Sequence, residues 1–130
     1  MSLQQIPGLY VAQTEKKGRG MFCANDIEAG ALIEICPLIK IPSEQVSDLD
    51  KTILYNYYFL LNDSDNSACI ALGYGSIYNH SEQANAEVLM DSDASTMFVE
   101  CTEAIPAGSE ILINYIGNIK DIEQLWFTPY

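Results

Sequence analysis

Positively charged residues are scarce in this sequence. Its 130 residues include six lysines and arginines against eighteen aspartates and glutamates, which gives a net charge of -12. Lysine and arginine are the groups that neutralise the phosphates of nucleic acids, so this balance argues against a nucleic-acid partner. An acidic surface attracts a basic protein or peptide instead, although it also serves simply to keep a small domain soluble.

Long hydrophobic runs are missing as well. No stretch approaches the roughly 18 consecutive apolar residues of a transmembrane helix. The first residues, Met1-Ser2-Leu3-Gln4-Gln5, do not form a basic region followed by an apolar core. The sequence therefore predicts neither a membrane association nor a secretory signal. We expect a cytoplasmic protein, and transport to a nucleus or into a host is left as an alternative.

The cysteines are few and widely spaced. Cys23, Cys36, Cys69 and Cys101 include no Cys-x-x-Cys pair. Such pairs are the usual sign of a zinc site, so no metal site is predicted. Three of the four cysteines lie in apolar, strand-like runs, where buried and reduced thiols are the expected state.

Short apolar runs rich in isoleucine, valine and tyrosine dominate the chain, as is typical of β-strands. They cover residues 9–12, 20–24, 31–41, 68–72, 86–90, 96–100 and 110–115. Only residues 43–61 show apolar side chains at helical spacing, with Ser47 or Asp48 as a candidate cap. No linker or low-complexity tract divides the chain. We predict one mainly β domain over residues 1–130, with a helical insert at about 43–66 and an aromatic tail at about 118–130.

Two segments of the chain echo each other. Residues 27–33 read Ile-Glu-Ala-Gly-Ala-Leu-Ile, and residues 105–111 read Ile-Pro-Ala-Gly-Ser-Glu-Ile. Each pattern predicts a tight turn closed by glycine and followed by an apolar strand. A single echo does not indicate a repeat architecture.

Three local features could carry chemistry. His80, the only histidine, lies in a segment crowded with glycine, asparagine and serine, and Lys17-Gly18-Arg19-Gly20 forms a glycine-rich turn. Tyr115 ends a strand-like run. Taken singly, each feature also has an ordinary structural explanation. A small hydrolase built on His80 is disfavoured, because the Gly-x-Ser-x-Gly element, an oxyanion loop and an orienting acid are not identifiable.

The order of these features resembles the SET-domain protein lysine methyltransferases. The resemblance covers about residues 9–117, and the compact size is similar to the minimal SET proteins of viruses and bacteria. It implies a mainly β fold, the SET-domain β-clip of several short sheets, with a small helical insert and a C-terminal pseudoknot. The motifs that carry it are Lys17-Gly18-Arg19-Gly20-Met21-Phe22, Asn79-His80-Ser81 and the run from Gly108 to Tyr115.

The resemblance also implies roles for individual residues. Tyr115 matches the catalytic tyrosine of the family. Asn79 and His80 match the pair that holds the adenosine part of the cofactor S-adenosylmethionine, largely through backbone groups. The remaining cofactor-binding positions implied are Lys17, Gly18, Arg19, Tyr57 and Trp126.

The chain departs from the family pattern at several points. Glu82-Gln83-Ala84-Asn85 stands where many members have Cys-x-Pro-Asn, so only the asparagine is kept. Ile116 intervenes between Tyr115 and Gly117. Ile113 occupies the position where many members carry a phenylalanine or tyrosine that sets the number of methyl groups, so the methylation state is left open.

The function implied is methyl transfer from S-adenosylmethionine to the side-chain amine of lysine in a protein, with S-adenosylhomocysteine as the product. The acidic surface favours a basic substrate such as a histone, a histone-like protein or a ribosomal protein. The alternative is a non-catalytic interaction module that keeps the SET fold, with or without binding of the cofactor. Homodimer formation is a further option for so small a domain.

Overall fold

Short β-strands make up most of the protein. The computed structural model describes residues 3–60, 67–91, 94–114 and 119–120. Every predicted strand run matches a strand, which follows from the isoleucine, valine and aromatic side chains that suit a pleated, half-buried surface. The strands are β1 Gln4–Gln5, β2 Leu9–Gln13, β3 Arg19–Cys23, β4 Leu32–Ile41, β5 Phe59–Leu60, β6 Ala68–Ala71, β7 Asn79–His80, β8 Ala86–Asp91, β9 Thr96–Cys101, β10 Glu110–Ile113 and β11 Ile119–Lys120.

These strands form small sheets that share members, which confirms the predicted fold class. One sheet contains β2, β3 and β10, and a second runs from β10 through β8 and β9 to β4. A third contains β4, β6 and β5. Two strands, β4 and β10, therefore join all three sheets into one continuous, branched body.

Strand β4 is central because its two halves serve different sheets. Residues from Leu32 to Pro37 pair with β9, and residues from Leu38 to Ile41 pair with β6. The middle of the strand is buried on both faces, so even Glu34 is only 1% exposed. A strand covered on both sides reads as a nearly continuous apolar run, which is how this segment reads in the sequence.

Strand β10 runs parallel to two earlier segments. Leu112 and Ile113 pair with Asn79 and His80 of β7, and Ile113 also pairs with Ala86 of β8. The neighbouring backbone continues this contact, since the Ser81 N–H donates to the Ile113 carbonyl at 2.9 Å. Parallel pairing of β7 and β8 with β10, a strand near the C-terminus, is the arrangement expected of the pseudoknot.

The side chain of Asn85 reinforces this arrangement. Its Oδ1 accepts from the Leu112 N–H at 2.8 Å, and its Nδ2 donates to the Glu110 carbonyl at 2.9 Å. One amide thus satisfies two backbone groups of β10 that would otherwise need a ladder partner. This asparagine is the one residue of the Cys-x-Pro-Asn pattern that the chain keeps.

The predicted helical insert is present, but it is not a single helix over residues 43–61. The insert holds helix α1, Ser43–Leu49, and a separate 3-10 helix, Ile53–Asn56. Pro42 occupies the cap position of α1 without a side-chain hydrogen bond, so neither Ser47 nor Asp48 caps it. Residues 61–66 of the predicted insert lie outside the described residues.

The break in the helix has a local cause at Thr52. Its backbone is extended, and its hydroxyl accepts from the Leu54 N–H at 3.1 Å. The same hydroxyl donates to the Leu49 carbonyl at 2.7 Å, so the side chain competes with helical hydrogen bonds. Neither helix has a buried residue. The apolar periodicity therefore has no core face that would stabilise one long helix.

The two echoing segments form a nearly symmetric pair of turns. The N–H of Ile27 donates to the carbonyl of Ile105 and the N–H of Ile105 donates back, both at 2.9 Å. Gly108 donates to the Cys23 carbonyl, and Gly30 donates to the Cys101 carbonyl, again at 2.9 Å each. The similarity of the two segments predicts two turns. In the structure these turns lie against each other and are joined by reciprocal hydrogen bonds.

The core lies between the small sheets. All four cysteines are buried within it as thiols, as predicted. Burial raises the pKa of the Cys36 thiol, and the charge of Glu34 raises it further. Among the helices that the structure describes, none combines the length and the apolar character needed to cross a membrane.

We expect Gly30→Ala and Gly108→Ala to destabilise the fold by similar amounts. Gly30 has φ of +85° and Gly108 has φ of +83°, and a methyl group at either position meets no atom within 4 Å. The loss should therefore be a backbone penalty of roughly 1–2 kcal/mol per site. Urea unfolding of both variants measures it, and a loss confined to one variant would contradict the equivalence of the turns.

Candidate functional site

The glycine-rich turn between β2 and β3 is fixed by Thr14. The Thr14 hydroxyl donates to the Gly18 carbonyl at 2.8 Å and accepts from the Lys17 N–H at 2.8 Å. The Thr14 N–H donates to the same Gly18 carbonyl at 2.7 Å. These bonds close the turn and leave the side chains of Lys17 and Arg19 exposed.

The turn is linked directly to the Asn79-His80 segment. The Lys17 Nζ donates to the His80 carbonyl at 2.8 Å, across 63 positions of sequence. The Asn79 Nδ2 donates to the Arg19 carbonyl at 3.1 Å. Two motifs that were predicted to share a site therefore lie side by side.

Glu110 completes this junction. Its Oε2 accepts from the Asn79 Nδ2 at 2.7 Å, so the Asn79 amide bridges β3 and β10. Gly20 lies against this junction, where a Cβ atom would come within 2.9 Å of the Thr14 methyl and 3.0 Å of the Asn79 Nδ2. Sequence reasoning did not identify Glu110, because an acidic residue in a strand after a turn is unremarkable by itself.

A cavity of about 410 Å³ opens beside this junction. All six predicted cofactor positions among the described residues line it: Lys17, Gly18, Arg19, Tyr57, Asn79 and His80. Asn56, Ser76, Ile77 and Tyr78 complete the lining. Asn56 and Ser76 were not predicted, although each lies within or beside a motif that was.

Two predicted site residues, Tyr115 and Trp126, lie outside the described residues. Strand β10 ends at Ile113, two positions before Tyr115, and Ile113 pairs with His80 of the cavity wall. The described residues thus continue from Ile113, which pairs with the cavity residue His80, to Asn114, the residue before Tyr115.

The electrostatic environment of His80 favours its neutral form. Partial burial lowers the pKa of the imidazole from its usual 6.5, and the positive charge of Lys17 lowers it further. Glu82 acts in the opposite direction but more weakly. A neutral imidazole at the cavity wall can donate and accept hydrogen bonds without adding charge.

The residues that line the cavity are mainly polar and include two cationic side chains and aromatic rings. In the part of the chain that the structure describes, no group of three or more His, Cys, Asp and Glu side chains is arranged to hold an ion. The residues Lys17, Arg19 and Tyr57 line the cavity together with Asn79 and His80 of β7. Its volume lies within the roughly 300–1,000 Å³ of small-molecule sites.

Comparison with known proteins agrees with this geometry. Residues 18–116 match the family model for the SET domain. The chain is 29% identical over 120 residues to a Schizosaccharomyces pombe histone-lysine N-methyltransferase specific for H3 lysine-37, covering 92% of this chain and 76% of that protein. A crystal structure of a proposed histone methyltransferase from Plasmodium falciparum is similar with a TM-score of 0.67 and 29% identity, covering 88% of this chain and 96% of that one.

The single histidine allows the cavity electrostatics to be measured. We expect the imidazole of His80 to titrate by proton NMR with a midpoint below 6.5, because burial and Lys17 both disfavour the charged form. Lys17→Gln should raise the midpoint, since it removes a nearby positive charge. Lys16→Gln is the matched control and should leave the midpoint unchanged. A parent midpoint at or above 6.5 would contradict the expected direction.

Proposed function

The chain belongs to the SET-domain family, and we propose that it transfers a methyl group from S-adenosylmethionine to the side-chain amine of lysine in a protein. The observation that carries this proposal is the convergence of Lys17, Gly18, Arg19, Tyr57, Asn79 and His80 on one cavity. Motif order alone selected these residues. Their shared cavity is independent support for a common ligand.

The chemistry of the cofactor suits the cavity lining. S-adenosylmethionine carries a carboxylate, an adenosine group and a sulfonium centre whose methyl group is activated for transfer. Lys17 and Arg19 supply positive charge for the carboxylate. Asn79 and His80 line the same cavity and would hold the adenosine, and the Tyr57 ring would offer an aromatic face to the cationic sulfonium centre.

The proposed reaction needs alignment more than a strong base. A lysine amine has a pKa of about 10.4, so only about one in a thousand is nucleophilic at neutral pH. An apolar channel and a nearby sulfonium would both lower the pKa of the substrate lysine, whose proton would then leave to solvent. Tyr115 would orient the amine in line with the methyl group and stabilise charge in the transition state. His80 would serve the cofactor instead of acting as a base.

The proposed substrate is a basic protein. The net charge of -12 favours such a partner over a nucleic acid. The similarity to a methyltransferase named for histone H3 lysine-37 supports a histone or histone-like target. A cytoplasmic location and homodimer formation stay predictions from the sequence.

We expect Tyr115→Phe to reduce methyl transfer by roughly a hundredfold or more, the usual effect of removing a hydrogen-bond donor from a transition state. Affinity for S-adenosylhomocysteine should stay close to that of the parent. Transfer of labelled methyl groups to histones and to proteins of a cell extract measures the first quantity, and calorimetry measures the second.

The matched control for this variant is Tyr10→Phe, because Tyr10 stacks on Phe22 at the surface of the β2–β3 pair. It should retain parent activity. Unchanged turnover in Tyr115→Phe would refute the catalytic role. A parent that binds the cofactor but labels no protein would identify the non-catalytic alternative.

We expect Asn79→Ala to weaken binding of S-adenosylhomocysteine by roughly tenfold. Its amide bridges the Arg19 carbonyl and Glu110, so its loss removes the link between the cavity segment, β3 and β10. Asn25→Ala removes a similar surface hydrogen bond, to the Pro7 carbonyl, away from the cavity. Calorimetry should show the loss in the first variant only, and equal affinities in both would count against the assignment.

A further inference from the structure

Glu34 is the one charged side chain that is buried among the described residues. It lies in the middle of β4, where it is 1% exposed. A carboxylate in such a place loses most of its hydration, and this cost must be offset by hydrogen bonds. The location of the hydrogen-bond donors to Glu34 indicates its role.

Three uncharged N–H and O–H groups donate to the Glu34 carboxylate, and the Cys36 thiol is a further donor. The Tyr78 hydroxyl donates to Oε1 at 2.6 Å. The Tyr74 N–H donates to Oε2 at 2.9 Å, and the Gln5 Nε2 donates to the same oxygen at 2.7 Å. Hydrogen bonds to an ionised acceptor are about twice as strong as neutral ones.

Two of these donors belong to the segment that precedes the cavity motif. Tyr74 and Tyr78 stand at the two ends of a short turn, which is closed by the Ile77 N–H donating to the Tyr74 carbonyl at 2.8 Å. Tyr78 directly precedes Asn79 and itself lines the cavity with Ser76. One carboxylate therefore holds both ends of a segment that leads into the cavity wall.

The protonation of Tyr78 agrees with this geometry. Burial raises the pKa of its hydroxyl well above the usual value, and the charge of Glu34 raises it further. The phenol consequently keeps its proton and stays a donor throughout the physiological pH range. An apolar residue at position 34 would leave both the hydroxyl and the Tyr74 N–H without this acceptor.

We propose that Glu34 is a positioning residue for the cofactor cavity, which acts by fixing residues 74–78 and through them the backbone of Asn79 and His80. This inference rests on the proposed function for the identity of the ligand. It assigns a role to a residue that contacts neither substrate nor cofactor. The buried charge in β4 thereby sets the affinity of a site on a different segment.

Gln5 supplies the matched control for this proposal. It is an exposed residue of β1 that donates to the same carboxylate from outside the cavity segment. Gln5→Ala therefore perturbs Glu34 without changing residues 74–78. Tyr78→Phe removes the hydroxyl and keeps the ring, and Glu34→Gln keeps the shape and removes the charge.

The first measurement is calorimetric binding of S-adenosylhomocysteine, at a temperature where thermal unfolding shows each variant folded. Tyr78→Phe and Glu34→Gln should weaken the affinity roughly tenfold, the factor expected for one charge-assisted hydrogen bond. Gln5→Ala should change it by less than about twofold. If Glu34→Gln does not fold, Tyr78→Phe decides. Parent affinity in Tyr78→Phe, or an equal loss in Gln5→Ala, overturns the proposal.

The second measurement needs no cofactor. Amide hydrogen exchange of Asn79 and His80, followed by NMR, should be faster in Tyr78→Phe and unchanged in Gln5→Ala. The amides of Val88 and Val99 on the buried β8–β9 pair report global opening and should stay slow in both variants. If the parent binds no S-adenosylhomocysteine, the proposed function fails while this readout still decides the positioning role. Exchange at Asn79 and His80 that matches the parent overturns it.

Discussion

The parallel pairing of β10 with β7 and β8 is the constraint on which the site depends. It places the end of the last long strand beside Asn79 and His80, which are remote in sequence. The Asn85 amide secures the same strand from one side, and Glu110 at its start holds the Asn79 side chain from the other. The cavity exists because these segments share one strand, so its geometry is a property of the fold more than of any single loop.

Most strands could be predicted, because their apolar and β-branched side chains leave a direct pattern in the sequence. The cavity residues could be predicted because their motifs occur in a recognisable order. The detailed structure of the insert could not be predicted. Its apolar periodicity suggests one helix, whereas the Thr52 side chain and the lack of a buried helix face lead to two separate helices. Glu34 was missed for a related reason. An acidic residue within a strand usually faces water, and only the complete sheet arrangement covers both faces of β4.

The distribution of charge differs between the cavity and the chain as a whole, in a way that suits two different ligands. The chain as a whole is strongly acidic, but two of its six basic side chains, Lys17 and Arg19, line the cavity. Local positive charge suits the carboxylate of a small ligand, while the general negative charge suits a basic protein partner. The same lysine also lowers the pKa of His80, so that the cavity wall does not gain a further charge near neutral pH.

The paired turns around Ile27 and Ile105 tie together two segments that are remote in sequence. Asp26, beside the first turn, accepts a hydrogen bond from the Ala107 N–H, and these residues are 81 positions apart. Closing so long a loop carries an entropic cost before any contact compensates it, which makes this junction a late step in folding. During synthesis from the N-terminus, the first turn must wait for nearly the whole domain to be made. The contact between the two turns therefore forms only after synthesis has passed Ala107, whereas the β2–β3 hairpin needs only residues 9–23.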